Sequence, residues 1–247
     1  MFSYNKKLQY PINIKKKDLR MAKYLVTQYG GSNGELGAAL RYLNQRYTMP
    51  DNKGKALLTD IGTEELAHVE MLSTMIYQLI KDASLEELRE AGLDSHYAEH
   101  GKALFPTDAN GVPFTVAYFA TTGDPLADIS EDMAAEQKAR AVYENLIDLT
   151  NDPDVIGPLL WLRQREIVHF ARFKELFEHY EKMQDNGKKL TSNNNMSGMN
   201  NLDNNMNEMS NMGNMNNMNM TFPNNATLQK LLMGENMSDV NYGMMGD

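Results

Sequence analysis

The chain has 247 residues, with 33 acidic against 24 basic side chains, 19 methionines and no cysteine. A net charge of −9 argues against nucleic acid or an anionic membrane surface as the main partner, since both reward clustered Lys and Arg. Without Cys there are no disulfides, thiolate nucleophiles, Cys-bound zinc or iron–sulfur clusters, and no run approaches the roughly 20 apolar residues of a membrane span.

The opening stretch, MFSYNKKLQYPINIKKKDLR, has basic residues but no apolar segment behind them, so no signal peptide is expected. A first helix is predicted over residues 18–47, kinked or restarted by Gly-Gly-Ser-Asn-Gly at 30–34. A second runs over 53–82, and a short one follows over 85–91. Residues 101–125 are rich in Gly, Pro and aromatics and include a β-prone run at 112–119; a loop of that length inside a domain is usually functional. A third helix covers 127–150, Asp152-Pro153 stops and restarts the chain, and a fourth helix covers 154–183. The fold class is therefore all-α: a four-helix bundle with one long crossover connection between its second and third helices.

Composition changes sharply near Leu190. Beyond it Asn and Met dominate, with a beat at Met206, Met209, Met212, Met215 and Met218. The expected organisation is a helical domain over 1–190 and a low-complexity tail over 191–247 that cannot repay the entropy of its own ordering. Docking on a partner subunit through Leu231, Leu232 and Met233, or sacrificial oxidation of exposed thioethers, are the sharper readings of the tail.

The chemistry lies on the apolar stripes. On the second helix the helical series reads Leu58, Ile61, Glu65, His68, Leu72, Met75 and Leu79. The fourth repeats it as Leu159, Leu162, Glu166, His169, Phe173 and Leu176. The third offers Ile129, Met133, Glu136, Ala139, Tyr143 and Ile147, and the first offers Glu35, Ala38, Ala39 and Tyr42 after its glycines. An isolated carboxylate in such a core costs several kcal/mol or stays protonated, so it calls for a cation. One Glu or Glu-x-x-His per helix is the di-metal carboxylate pattern of ferritin-like bundles. Oxygen donors with one imidazole per metal suit manganese or iron. Glu64, Glu70, Glu131, Asp132 and Glu144 fall off these stripes and read as solvated or ion-paired. His96 and His100, beside Glu99, read as surface or loop lining, and His179 as exposed.

Four segments carry a family resemblance: Gly-Gly-Ser-Asn-Gly-Glu35-Leu-Gly-Ala-Ala-Leu-Arg-Tyr42, Thr-Glu-Glu65-Leu-Ala-His68, Ala-Ala-Glu136-Gln-Lys-Ala-Arg140 and Arg-Glu166-Ile-Val-His169. Over residues 21–180 the text resembles the manganese catalases, a ferritin-like family that includes spore-coat members. The resemblance implies two manganese ions held by Glu35, Glu65, His68, Glu136 and His169, with Glu65 bridging. It implies Glu166 off the metals near bound solvent, as the proton-handling group, and Tyr42 hydrogen-bonded into the site. It also implies disproportionation of hydrogen peroxide by a metal pair alternating between II,II and III,III states. A homo-hexamer, spore-coat partners and a cytoplasmic or spore-coat location follow from the same likeness. Phe114, Tyr118 and Phe119 are candidates for narrowing access to the site. Two rival readings are a di-iron oxidase or ferroxidase on the same donors, and a structural spore-coat protein with a vestigial site.

Overall fold

The computed structural model describes residues 7–94, 101–187 and 190. Helix α1 spans Leu19–Gly30 and α2 spans Glu35–Gln45, so the predicted first helix is two pieces in line with the glycine signal. The break is steric. A Cβ on Gly30 would sit 2.5 Å from the Thr107 backbone nitrogen, and one on Gly31 would sit 2.4 Å from the Thr27 carbonyl oxygen. Only glycine lets the chain turn this tightly, and the turn delivers Glu35 as the first residue of α2.

Helix α3 spans Asn52–Ile80 and the short α4 spans Leu85–Glu90. Helices α5 (Pro125–Asp148) and α6 (Pro153–Asp185) each begin with an Asp N-cap followed by proline. Asp51 caps α3 by accepting from the Gly54 N–H. It also accepts from the Tyr180 hydroxyl at 2.9 Å, so the start of α3 is tied to the end of α6. Helix α2 runs beside α3, and α5 beside α6, which closes a four-layer bundle with α1 extending the α2 layer.

Between α4 and α5 the β-prone run at 112–119 does not form a strand. Thr107 and Pro113 make one isolated bridge, and Val116–Phe119 is a 3₁₀ turn. Two prolines and a glycine at 106–113 remove the ladder donors and stiffness that a strand requires. The Arg41 guanidinium donates to the Tyr118 and Phe119 carbonyls and holds this turn against α2. None of the helices among the described residues is long and apolar enough to cross a membrane.

Two apolar clusters fill the bundle. One joins α1, the C-terminal half of α3 and the N-terminal half of α6 through Leu25, Leu72, Met75, Leu159 and Leu162. The other joins α2, the N-terminal half of α3 and the C-terminal half of α6 through Tyr42, Leu58, Ile61, Phe173 and Leu176. Glu65 and His68, and Glu166 and His169, fall between the two clusters along their helices. The tail at 191–247, His96 and His100 lie outside the described residues.

Candidate metal centre

The α2, α3, α5 and α6 faces bring Glu35, Glu65, His68, Glu136, Glu166 and His169 to one interior place, all 2% exposed or less. They form two overlapping groups, Glu35–Glu65–His68–Glu166 and Glu65–Glu136–His169, whose donor atoms within each lie within 4.8 Å of one another. Glu65 belongs to both. Its Oε2 lies 2.6 Å from His68 Nδ1 and its Oε1 lies 2.8 Å from His169 Nδ1. Glu35 Oε2 and Glu166 Oε1 stand 3.6 and 3.9 Å from His68 Nδ1, and Glu136 Oε2 stands 3.6 Å from His169 Nδ1. The two imidazoles face each other, 5.6 Å between ring centres and 19° between planes.

Despite this crowding, both Glu65 oxygens, both His68 nitrogens, Glu136 Oε2, Glu166 Oε1 and His169 Nδ1 make no well-aligned hydrogen bond. Orphaned buried polar atoms of this kind each cost about 1–3 kcal/mol; His68 Nε2 faces away toward Glu64, and the other six, gathered at one point, are not a packing solution. They are hard oxygen and imidazole donors from α3, α5 and α6, joined by Glu35 from α2, a set that fits divalent metal of the manganese or iron type. The charges tell the same story. Burial, reinforced by Glu65, raises the Glu35 carboxyl to about 7. Burial, then Glu35, Glu136 and Glu65, pushes Glu166 well above the carboxylate range. Burial opposes charge on Glu65 too, but His169 and His68 outweigh it and hold this carboxyl far below its ordinary value. Metal-free, the cluster must balance its charge with protons.

Two tyrosines anchor the outer oxygens. Tyr42 donates to Glu136 Oε1. Tyr143, on the predicted α5 stripe but not singled out as a site residue, donates to Glu35 Oε1. The stripe position two turns beyond Glu136 was the signal for it. Sequence reading also placed Asp132 among solvated groups, and this is wrong: it is fully buried and neither oxygen has a hydrogen-bond partner. The buried face of α5 is rotated from the predicted one, with Asp132, Ala135 and Leu146 inside and Met133 and Ile147 at its edge. Glu64, set aside as ion-paired, is ion-paired with Arg165 but also touches His169. Glu131 and Glu144 pair with Lys138, Arg140 and Arg163 at the surface, as read. His179 is only partly exposed and lies 3.0 Å from Asp51.

A narrow cavity of about 10 Å³ leads from Ser32 and Asn33 at the surface to Glu35, Tyr42 and Glu166. Ala38, Ala135 and Ala139 also line it. That volume is about one water-sized sphere. Phe114, Tyr118 and Phe119 do not line it: Phe114 and Tyr118 pack over Gly37 on α2 instead.

The sequence matches the family described as "Manganese containing catalase" over residues 1–235. The chain belongs to the manganese catalase family. It is 57% identical over 188 residues to Protein CotJC of Bacillus subtilis, a match that takes in 76% of this chain and 99% of that protein. It is 36% identical over 177 residues to a probable manganese catalase of Clostridium acetobutylicum, covering 71% of this chain and 79% of that one. Among solved structures it is similar to wild-type KatB, a manganese catalase from Anabaena, with a TM-score of 0.66 and 32% identity. That similarity covers 75% of this chain and 83% of the other. Within a manganese catalase fold the buried Glu and His groups are the ones that could hold the metal.

Proposed function

We propose that this chain is a dinuclear manganese catalase, converting two hydrogen peroxide molecules to two waters and one dioxygen. The observation that carries the reading is the convergence of six buried donor residues, five of them with orphaned atoms, around the shared Glu65. In this reading Glu35, Glu65 and His68 would hold one ion and Glu65, Glu136 and His169 the other, with Glu65 common to both groups. The ion pair, when bound, supplies a two-electron couple, so peroxide is oxidised and reduced in turn without an external reductant. Glu166 reaches the same point without a hydroxyl donor of its own, which leaves its carboxyl free to take and return the peroxide proton. Its raised affinity for a proton suits that exchange. Tyr42 and Tyr143 fix one oxygen each of Glu136 and Glu35, so these carboxylates present their other oxygen inward. The narrow cavity that Ala38, Ala135 and Ala139 line beside Glu35, Tyr42 and Glu166 is sized for a molecule as small as peroxide rather than for larger reductants.

The catalytic domain in this reading is 1–190 and the Asn/Met segment 191–247 is an appendage. Placement in a spore coat, alone or as a homo-hexamer with other coat proteins, rests on the motif likeness to spore-coat members of the family. Protein from cells grown with both manganese and iron tests the reading. Two manganese per chain, with one dioxygen released per two peroxides and no added reductant, is the expected result. Iron at the site, or peroxide consumed without dioxygen, would turn the assignment to a di-iron oxidase. Localisation to purified spores with metal absent and no dioxygen release would leave a coat protein alone.

A further inference from the structure

Glu64 occupies a place that the catalytic reading does not use. Both histidines turn Nδ1 toward Glu65 and the other carboxylates, so both Nε2 atoms point away from the metal-facing side. The near-parallel rings put the two Nε2 atoms on a common flank, and Glu64 lies along it. Its Oε2 is 3.0 Å from His169 Nε2, and its Oε1 is 3.7 Å from His68 Nε2. The first is a hydrogen bond; the second is an electrostatic contact, too long for a hydrogen bond.

The carboxylate is itself held. Arg165 reaches Oε1 through Nε at 2.6 Å and Oε2 through Nη2 at 3.2 Å, the two-point geometry that fixes both position and plane. Sequence numbering exposes the logic. Glu64 stands four residues before His68 on α3, and Arg165 stands four residues before His169 on α6. The two Glu-x-x-His elements thus carry opposite charges at equivalent positions. One helix supplies the acceptor, and the other supplies the cation that orients it.

We propose that Glu64 is the positioning residue for both metal-facing histidines, a single carboxylate that hydrogen-bonds His169 Nε2 and faces His68 Nε2 with its other oxygen, and so turns both Nδ1 atoms to metal. The inference rests on the dimetal reading above. A carboxylate held by Arg165 accepts, so the Nε2 facing it is the donor side of the ring, and Nδ1 is the side turned to the carboxylate cluster where a metal would replace its proton. Outer carboxylates of this kind orient a ligating imidazole and raise its basicity, and their loss typically costs about 10- to 100-fold in metal affinity or activity. Here one residue serves two imidazoles, so both ions should loosen together.

The test compares metal retention with fold stability. Wild type, Glu64→Gln and Arg165→Gln are loaded with manganese and titrated with a chelator, and the metal-free forms are melted in parallel. Glu64→Gln should release both ions at about 10- to 100-fold lower chelator concentration, with an altered Mn(II) paramagnetic resonance spectrum. Arg165→Gln should shift retention in the same direction and less, because the carboxylate remains. The metal-free melts of the two variants should agree, since each breaks the same interhelical ion pair. Unchanged retention and spectrum in Glu64→Gln, with only the melt lowered, would reduce Glu64 to an interhelical clip and overturn the proposal. If Glu64→Gln does not fold, unchanged retention in Arg165→Gln overturns it equally. Wild type that binds no manganese would defeat the dimetal reading itself, an outcome separate from the loss of Glu64's role alone.

Discussion

Ala139→Leu is a test of how peroxide reaches the site. Ala139 lies one turn past Glu136 on α5 and lines a cavity of about 10 Å³. Because that space holds only one water-sized molecule, an isobutyl group in place of the methyl fills it completely. Ala139 is 7% exposed, so the added bulk can be accommodated only by the rearrangement that overpacked interiors require. Such rearrangement costs about 1–3 kcal/mol. If peroxide must wait for that opening, kcat/KM falls by about 5- to 150-fold, at 1.36 kcal/mol per decade. The Glu and His donors are not touched, so manganese content should stay at the wild-type level. Initial rates of dioxygen release across a peroxide series, with metal analysis on the same sample, measure both. A variant with full metal and unchanged kcat/KM would mean that peroxide does not pass between Ala135 and Ala139, and the access route drawn from the cavity would be wrong.

Other substitutions separate the roles within the site. Glu166→Gln should keep its metal and lose about 10²- to 10⁴-fold in turnover by steady-state assay, and normal turnover would remove its proton role. His68→Ala should lose manganese by elemental analysis; full occupancy would remove His68 from the donor set. Away from the site, Asp51 joins α3 to α6. Burial opposes its charge, but the Gly54 N–H, His179 and Tyr180 outweigh it and hold the carboxyl below its ordinary 3.8. A depressed folded-state pKa means that this stabilisation is complete above 3.8 and is lost as pH falls through the folded value. Since Asp51 is partly exposed, solvent screening limits the effect, and Asp51→Ala should cost about 1 kcal/mol in denaturant melts near neutral pH. The gap from wild type should close in melts below the folded-state pKa; a gap that persists there would show that the carboxylate's charge is irrelevant to the clamp.

The fold was legible because its signals are local and redundant. Asp-Pro pairs open α5 and α6, the glycines at 30–34 break the first helix where close backbone approach forbids a Cβ, and the helical stripes end near the observed boundaries. Glu65, His68, Glu166 and His169 were legible for a related reason. Each Glu-x-x-His stands where an apolar residue should be, and the repeat on a second helix removes coincidence. Asp132 was missed because the weakly amphipathic α5 leaves its rotation undecided by a small angle, enough to exchange Asp132 for Met133 at the buried edge. Glu64 was missed because its neighbours come from another helix: Arg165 and His169 lie a hundred or more positions away, and no periodicity within α3 announces them. The aromatics of the 114–119 turn were assigned to the access route by composition, whereas Arg41 pins that turn against α2 and none of the three aromatics lines the cavity.

The central claim is that acidic and imidazole side chains from four helices are held together to bind a pair of cations. Anomalous diffraction at the manganese edge, on crystals of the manganese-loaded protein, addresses it directly. Two peaks flanking Glu65, one beside His68 Nδ1 and one beside His169 Nδ1, are the predicted result. No peak there, or a single ion away from Glu65, would contradict it.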